Sequence, residues 1–234
     1  MIDLNEIEFN LADYEDRIGK EYELNIAQAE RISLYESLIA GSLIIRAKSR
    51  GDYSESKVVP VIKAIIEWLR TIDFYTAPAS TRFHGAFPGG LLLHSLTVYN
   101  KMIELRQLKS FSSVAIGSSS LVALTHDWCK INKYESYIKN EKNRQTGQWE
   151  EKQAYRWNDK YIGLGHGPQS LMMVSQFCTT KSTNLTFDEM AAIRWHMYTY
   201  DVTSYDVDDL NKCNNKIPLV LITQFADQMA AGEG

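Results

Sequence analysis

A chain of 234 residues with 44% hydrophobic and 23% charged residues has the composition of a soluble globular protein, one substantial domain with or without an appendage. Its net charge of −4 offers no general attraction to long duplex nucleic acid or to an anionic membrane. Cys129, Cys178 and Cys213 are odd in number and without a CxxC pair, the start MIDLNEIEFN is acidic, and no apolar run has transmembrane length, so a cytoplasmic protein without disulfides is expected.

Residues 1–30 carry nine acidic side chains against two basic ones, Arg17 and Lys20. From about Glu21 the apolar positions Leu24, Ala27, Ile32, Tyr35, Leu38, Ile39 and Ile45 predict a long amphipathic helix. It is either a partner-binding or dimerisation arm or a helix packed on the main domain with a solvated acidic face, and the second is expected. Gly51-Asp52 breaks the pattern, and Val58 to Leu69 reads as a second helix with Pro60 in its first turn. Residues 1–72 are thus read as a helical segment packed on a main domain of residues 73–234.

The stretch from Pro78 to Gly90 is too rich in turn formers for regular structure, and it opens onto a helix from Leu91 to about Leu108 that carries His94. Arg82 and His84 in this loop are candidates for touching a phosphate, although a lone loop histidine is equally a polar surface residue. A helix from Val114 to His126 follows. Its Gly117 and Ser118–Ser120 are poor helix formers that fit where another helix packs closely. The apolar run Leu121–Leu124 ends in His126-Asp127, two metal-ligand types that a core tolerates only with partners.

Residues 134–158 alternate polar and aromatic positions around a Gln145–Gln148 turn and read as an inserted β-hairpin. From Lys130 to Lys160 there are eight basic and five acidic residues. With Trp149 and Tyr155 as stacking candidates, the hairpin is either one wall of a nucleotide pocket or simply a half-buried hairpin. Gly163–Ser170 is a Gly-rich turn into a helix reaching about Phe177, with His166 beside the positive end of its dipole. Thr186 to Glu189 is a capping box that starts the helix bearing His196. Residues 201–216 read as a solvated loop, and Ile217 to Ala230 as a last helix with Asp227 amid apolar neighbours. The predicted fold is mainly α, a helical bundle with one small inserted hairpin.

His94, His126, His166, His196 and Asp227 follow one another at intervals of roughly 30–40 residues, about one helix plus its connection, so successive helices can each deliver a ligand to one point. The order His94, His126-Asp127, Asp227 resembles the HD superfamily of metal-dependent phosphohydrolases, densely from about Pro78 to Met229. The Pro-Ala…His…Gly-Gly-Leu-x-x-His run at 78–94 is similar to HD-domain exoribonucleases, with Phe83 standing where those relatives tend to have a second histidine. Gly-His-Gly-x-x-Ser at 165–170 resembles the corresponding segment of two-metal members.

The resemblance implies an HD-domain bundle with His94, His126, Asp127 and Asp227 on one divalent ion. Asp127 would bridge to a second ion held by His166 and His196. Such a mixed nitrogen and carboxylate set suits Mn, Fe, Zn, Ni or Mg better than Ca. Lys130, where the family also places a lysine, would neutralise substrate phosphate and act with Asp127 in catalysis; Trp128-Cys129 replaces the small residues common between them. The expected activity is hydrolysis of a phosphoester or phosphoanhydride of a nucleotide-like substrate by metal-activated water. The rivals are a 3′-to-5′ exonuclease on short RNA or single-stranded DNA and a non-hydrolytic nucleotide-binding module. A homo-oligomer is compatible with all three.

Overall fold

The computed structural model describes residues 11–233. In chain order these form α1 (Leu11–Arg17), α2 (Gln28–Ser49), α3 (Glu55–Thr71), α4 (Gly90–Arg106), α5 (Ile116–Thr125), a 3₁₀ turn (Trp128–Lys130), β1 (Tyr134–Lys142) and β2 (Trp149–Trp157). Then come α6 (His166–Ser175), α7 (Phe187–Trp195), a second 3₁₀ turn (Tyr198–Asp201), α8 (Val207–Lys216) and α9 (Pro218–Gly232). The architecture is mainly α with one small antiparallel hairpin, as the sequence predicts. Asp3, Glu6 and Glu8 of the acidic start lie outside the described residues.

The expected long helix starts at Gln28 rather than Glu21, and it is not amphipathic. Between Leu34 and Ala47 only Glu36 and Ile45 escape full burial, so α2 is a central strut. One continuous apolar core runs from α2 through α9, across the expected boundary near residue 72. Gly41 lets α1 cross α2, since a Cβ there would come 2.3 Å from the Tyr14 carbonyl oxygen. The small residues of α5 serve the same purpose: Gly117 lies against Arg46 of α2, and Ser119 and Ser120 are fully buried.

α2, α5 and α7 are tied by a buried ion pair that no sequence pattern announces. The Arg46 Nε and Nη2 groups donate to Glu189 Oε1 and Oε2 at 2.7 and 2.6 Å, and Ser118 Oγ donates to the same carboxylate at 2.6 Å. Glu189 also closes the predicted capping box by accepting from the Thr186 N–H at 2.8 Å. Burial alone would raise the Glu189 carboxyl, but its bonds to Arg46 and Ser118 hold it down at about 2.

Two further differences from the sequence reading have simple causes. α3 starts three residues ahead of Val58, which puts Pro60 inside the helix; the missing N–H leaves only the carbonyl of exposed Ser56 to water. Residues 207–216, expected as loop, form α8, with Asp208 and Asp209 at its start and Lys216 at its end complementing the helix dipole while Leu210 alone is buried.

The hairpin pairs Tyr134 with Trp157 at its base and Lys142 with Trp149 at its tip. Asn143 Oδ1 accepts from the Gln145 and Thr146 N–H groups to shape the turn. Within the two strands only Tyr155 is buried, so the arm is anchored at its base. There the Tyr161 hydroxyl donates to the Cys129 carbonyl at 2.6 Å, and the Asn158 N–H donates to that of Lys133 at 3.0 Å. Among the described residues no helix is long and apolar enough to cross a membrane.

Candidate metal centre

The ends of four helices and the middle of a fifth meet at one buried point. His94 stands in the first turns of α4, which can begin where it does because Gly90 seats directly on the Gly85 carbonyl; a Cβ at Gly90 would lie 2.0 Å from that oxygen. His126 is the C-terminal cap of α5 and His196 that of α7. His166 is the first residue of α6, and Asp227 projects from α9.

The two capping histidines use one device. His126 Nδ1 lies 2.8 Å from the Ala123 carbonyl oxygen, and His196 Nδ1 lies 2.7 Å from that of Ile193. A carbonyl only accepts, so Nδ1 carries the proton in each, and a carbonyl left unpaired at the helix end is satisfied. The same bond fixes the ring and points Nε2 inward, the arrangement by which ligating histidines are oriented.

Asp127, at the turn between α5 and the first 3₁₀ segment, divides the cluster with its two oxygens. Its Oδ2 lies 3.3 Å from His94 Nε2 and 3.5 Å from His126 Nε2. Its Oδ1 lies 2.6 Å from His166 Nε2 and 3.5 Å from His196 Nε2. Asp227 Oδ1 completes the first side, 3.0 Å from His94 Nε2 and 3.7 Å from His126 Nε2. Two sets of potential metal ligands result, His94, His126, Asp127 and Asp227 on one side and Asp127, His166 and His196 on the other, each with its atoms within 4.8 Å.

The donor atoms fit a metal ion. Buried polar atoms are nearly always hydrogen-bonded, yet His94 Nε2, His126 Nε2 and His196 Nε2 are buried without a hydrogen bond. The electrostatics demand positive charge at the same place. Burial opposes ionisation of Asp127 and Asp227, but Lys130 and His126 outweigh it for the first, His126 and His94 for the second, and both stay well below the usual carboxylate range. Burial would lower His126, but the two carboxylates lift it to about 10. A divalent cation meets that pull as well as a proton does. His166, where burial dominates, is pushed down to about 4 and stays neutral, the form that ligates.

Lys130 is not a solvated lysine. Its Nζ lies 2.6 Å from Asp127 Oδ2, and Asp127 and Asp227 together hold it protonated against the effect of burial. Cys129 beside it is buried, and burial, with Asp127 adding to it, raises the thiol to about 12. The His84 ring lies 5.1 Å from that of His94, tilted by 37°, and burial followed by His94 lowers its pKa.

Of the residues singled out in the sequence, His94, His126, Asp127, His166, His196, Asp227, Lys130 and His84 come together, and Arg82 lines the adjoining cavity. Trp149 and Tyr155 do not join them. Trp149 sits at the hairpin tip, 71% exposed, Tyr155 is buried within the hairpin, and no hairpin residue lines that cavity. The expected hairpin wall is therefore absent from the cavity, because the arm is held only at its base.

Sequence reasoning missed Asp201, which lies in the stretch read as solvated loop. Its Oδ2 accepts from the Gly167 N–H at 2.8 Å and lies 3.4 Å from Arg194 Nη1, so it locks the turn carrying His166 to the end of α7. Nothing local distinguishes it from its acidic neighbours.

Comparison with protein-family models, curated proteins and solved structures gives no match for this chain. The fold and the cluster together define a mainly helical protein with a buried His/Asp centre of metal-ligand composition.

Proposed function

We propose that the protein is a metal-dependent phosphohydrolase of the HD type, cleaving a phosphoester or phosphoanhydride of a nucleotide-like substrate. The observation that carries this reading is the split of Asp127: one carboxylate oxygen faces each ligand set, beside buried imidazole nitrogens without hydrogen bonds. His94, His126, Asp127 Oδ2 and Asp227 would hold one divalent ion, and Asp127 Oδ1, His166 and His196 a second, from among Mn, Fe, Zn, Ni and Mg. Ions held there would supply Lewis-acid stabilisation of a phosphoryl oxygen and lower the pKa of water.

The chain's own residues do the rest. Asp127 and Asp227 remain ionised across the physiological range and supply the negative charge that retains cations. The Ala123 and Ile193 carbonyls keep His126 and His196 in the ligating tautomer. Lys130 brings a fixed ammonium to the edge of the cluster, where it neutralises charge on a bound phosphate. Water would be the nucleophile, and the neighbouring Cys129 thiol is buried.

Elemental analysis of the full chain purified without chelator tests the reading, together with release of phosphate or nucleotide from mono-, tri- and cyclic nucleotides and short RNA. Two ions per chain and a hydrolysed substrate are expected, both lost in Asp127→Ala. Failure to take up metal after reconstitution with each of the five ions overturns it, and metal without turnover on any substrate turns it into a binding module. Steep weakening of activity with salt would favour the exonuclease form, since phosphate contacts release counterions.

A further inference from the structure

We infer that one pocket serves the cluster, the cavity between the 78–89 loop and the Tyr198–Asp201 turn, and that Phe83 and Tyr200 select there a phosphate ester bearing a flat ring, held ring-outward. The inference rests on the phosphohydrolase reading and adds to it the orientation of the substrate and the residues that choose it.

Among the described residues, two cavities that touch the cluster are separated by their charges. The smaller, about 330 Å³, reaches His84 and His94 past Glu21, Glu23, Glu104 and Glu233. Its one lysine, Lys101, is already paired with Glu104 and Glu233. That mouth repels phosphate. The larger, about 820 Å³, is within the size range of small-molecule sites; Lys130 in its lining is paired with Asp127, and Arg82 adds a further positive charge there beside His196 and Asp227. Phosphate belongs there.

Depth then sets the orientation. Lys130 is 7% exposed, whereas Phe83 and Tyr200, which line the same cavity, are 79% and 85% exposed. Single exposed aromatics are common on any surface, but here two share one cavity, with Met197 also in its lining. The buried Lys130 charge at the bottom, with exposed Arg82 and the two aromatics at the mouth, matches a molecule that carries an anionic group inward and a flat apolar ring outward. Stacking of this kind tolerates any base, because each has a π-face.

Both aromatics stand on fixed backbone. The Phe83 N–H donates to Ser80 Oγ at 2.9 Å, Ser80 Oγ donates to the His84 carbonyl at 2.9 Å, and the Ala79 N–H donates to that of Gly85 at 2.8 Å. On the other side Tyr198 holds a left-handed φ of 50°, uncommon for a bulky residue, which turns the chain so that Tyr200 follows at the cavity. Asp201, bound to Gly167 and Arg194, pins the end of that turn. A rim ordered before binding loses little freedom when a ligand arrives.

The test measures binding to the full chain of methylenephosphonate analogues of the four ribonucleoside 5′-monophosphates, which resist hydrolysis, with methylphosphonate as the ring-free probe. At least one nucleoside analogue should bind about five- to a hundredfold more tightly than methylphosphonate, the range of one stacked base. Phe83→Ala and Tyr200→Ala, both at exposed positions that leave the core intact, should each shrink that margin without changing methylphosphonate affinity or metal content. Arg82→Ala should weaken both kinds of probe alike. Equal affinity of the wild-type protein for all probes, or a margin that survives in both aromatic variants, overturns the inference. Metal analysis on the same samples reports separately on the hydrolase reading: ring-dependent binding in a protein that takes no metal would sink that reading and leave the pocket standing.

Discussion

The α-carbon of Gly167 rests on the carbonyl of Arg194, so closely that a Cβ at residue 167 would come within 2.0 Å of the oxygen. Through this contact the first turn of α6 sits on the last turn of α7, and His166 and His196, each next to or near one partner, face the same oxygen of Asp127. Gly167→Ala should force the two helices apart at a cost of about 1–3 kcal/mol in stability, as overpacking does. Urea denaturation checks the cost, and metal analysis should show the second ion lost before the first. Two ions retained with wild-type affinity would mean that the contact does not set the geometry.

Asp201 acts on the same half of the site through charge. Asp201→Asn keeps the shape but removes the charge that caps the Gly167 N–H and faces Arg194. Affinity for the second ion should fall about ten- to a hundredfold, the usual effect of disturbing a residue that orients ligands. Affinity for the ion at His94, His126 and Asp227 should stay as it is. Competitive titration with a chromophoric chelator resolves the two, and an equal loss at both would mark a general unfolding.

The pH dependence of stability carries the signature of Glu189. Its carboxyl is depressed in the folded state, so its contribution is present in full above its ordinary value of 4.5 and is lost as the pH falls through about 2. Glu189→Gln should flatten the stability profile in that window. At neutral pH it leaves Arg46 buried without its counter-charge and should cost about 3–5 kcal/mol. Denaturation midpoints at neutral and acid pH measure both effects; an unchanged acid limb would place the acid sensitivity elsewhere.

Lys130→Met separates charge from architecture. The side chain is buried against Asp127 Oδ2, and the methionine keeps its apolar stem. Metal content should persist, since removing the ammonium takes away a competitor for that oxygen. Turnover should fall about a hundredfold or more if the charge stabilises substrate phosphate. Wild-type rates in the variant would reduce Lys130 to a structural counter-ion.

Several features were legible in the residues because they depend on short stretches of chain. The hairpin at 134–158 follows from alternation around one turn, the start of α7 from the Thr186–Glu189 capping box, and the close approach to α5 from Gly117 and its serines. The ligands themselves stood out because histidine is scarce here and His126-Asp127 ends an apolar run. Period and composition could not show that α2 is buried on nearly all sides, because its polar positions, Arg46 among them, find their partners 143 residues away at Glu189. For the same reason Asp201 read as one acid among several, and Trp149 read as a stacking residue although the arm carries it away from the cavity. The sequence by itself determined which chemical groups are available and the elements marked by local signals, such as the hairpin turn and the capped start of α7, since caps and turns act over a few residues. Only the tertiary structure decided which oxygen of Asp127 faces which histidines and which aromatics border the cavity, because those relations arise from helix packing between segments far apart in the chain.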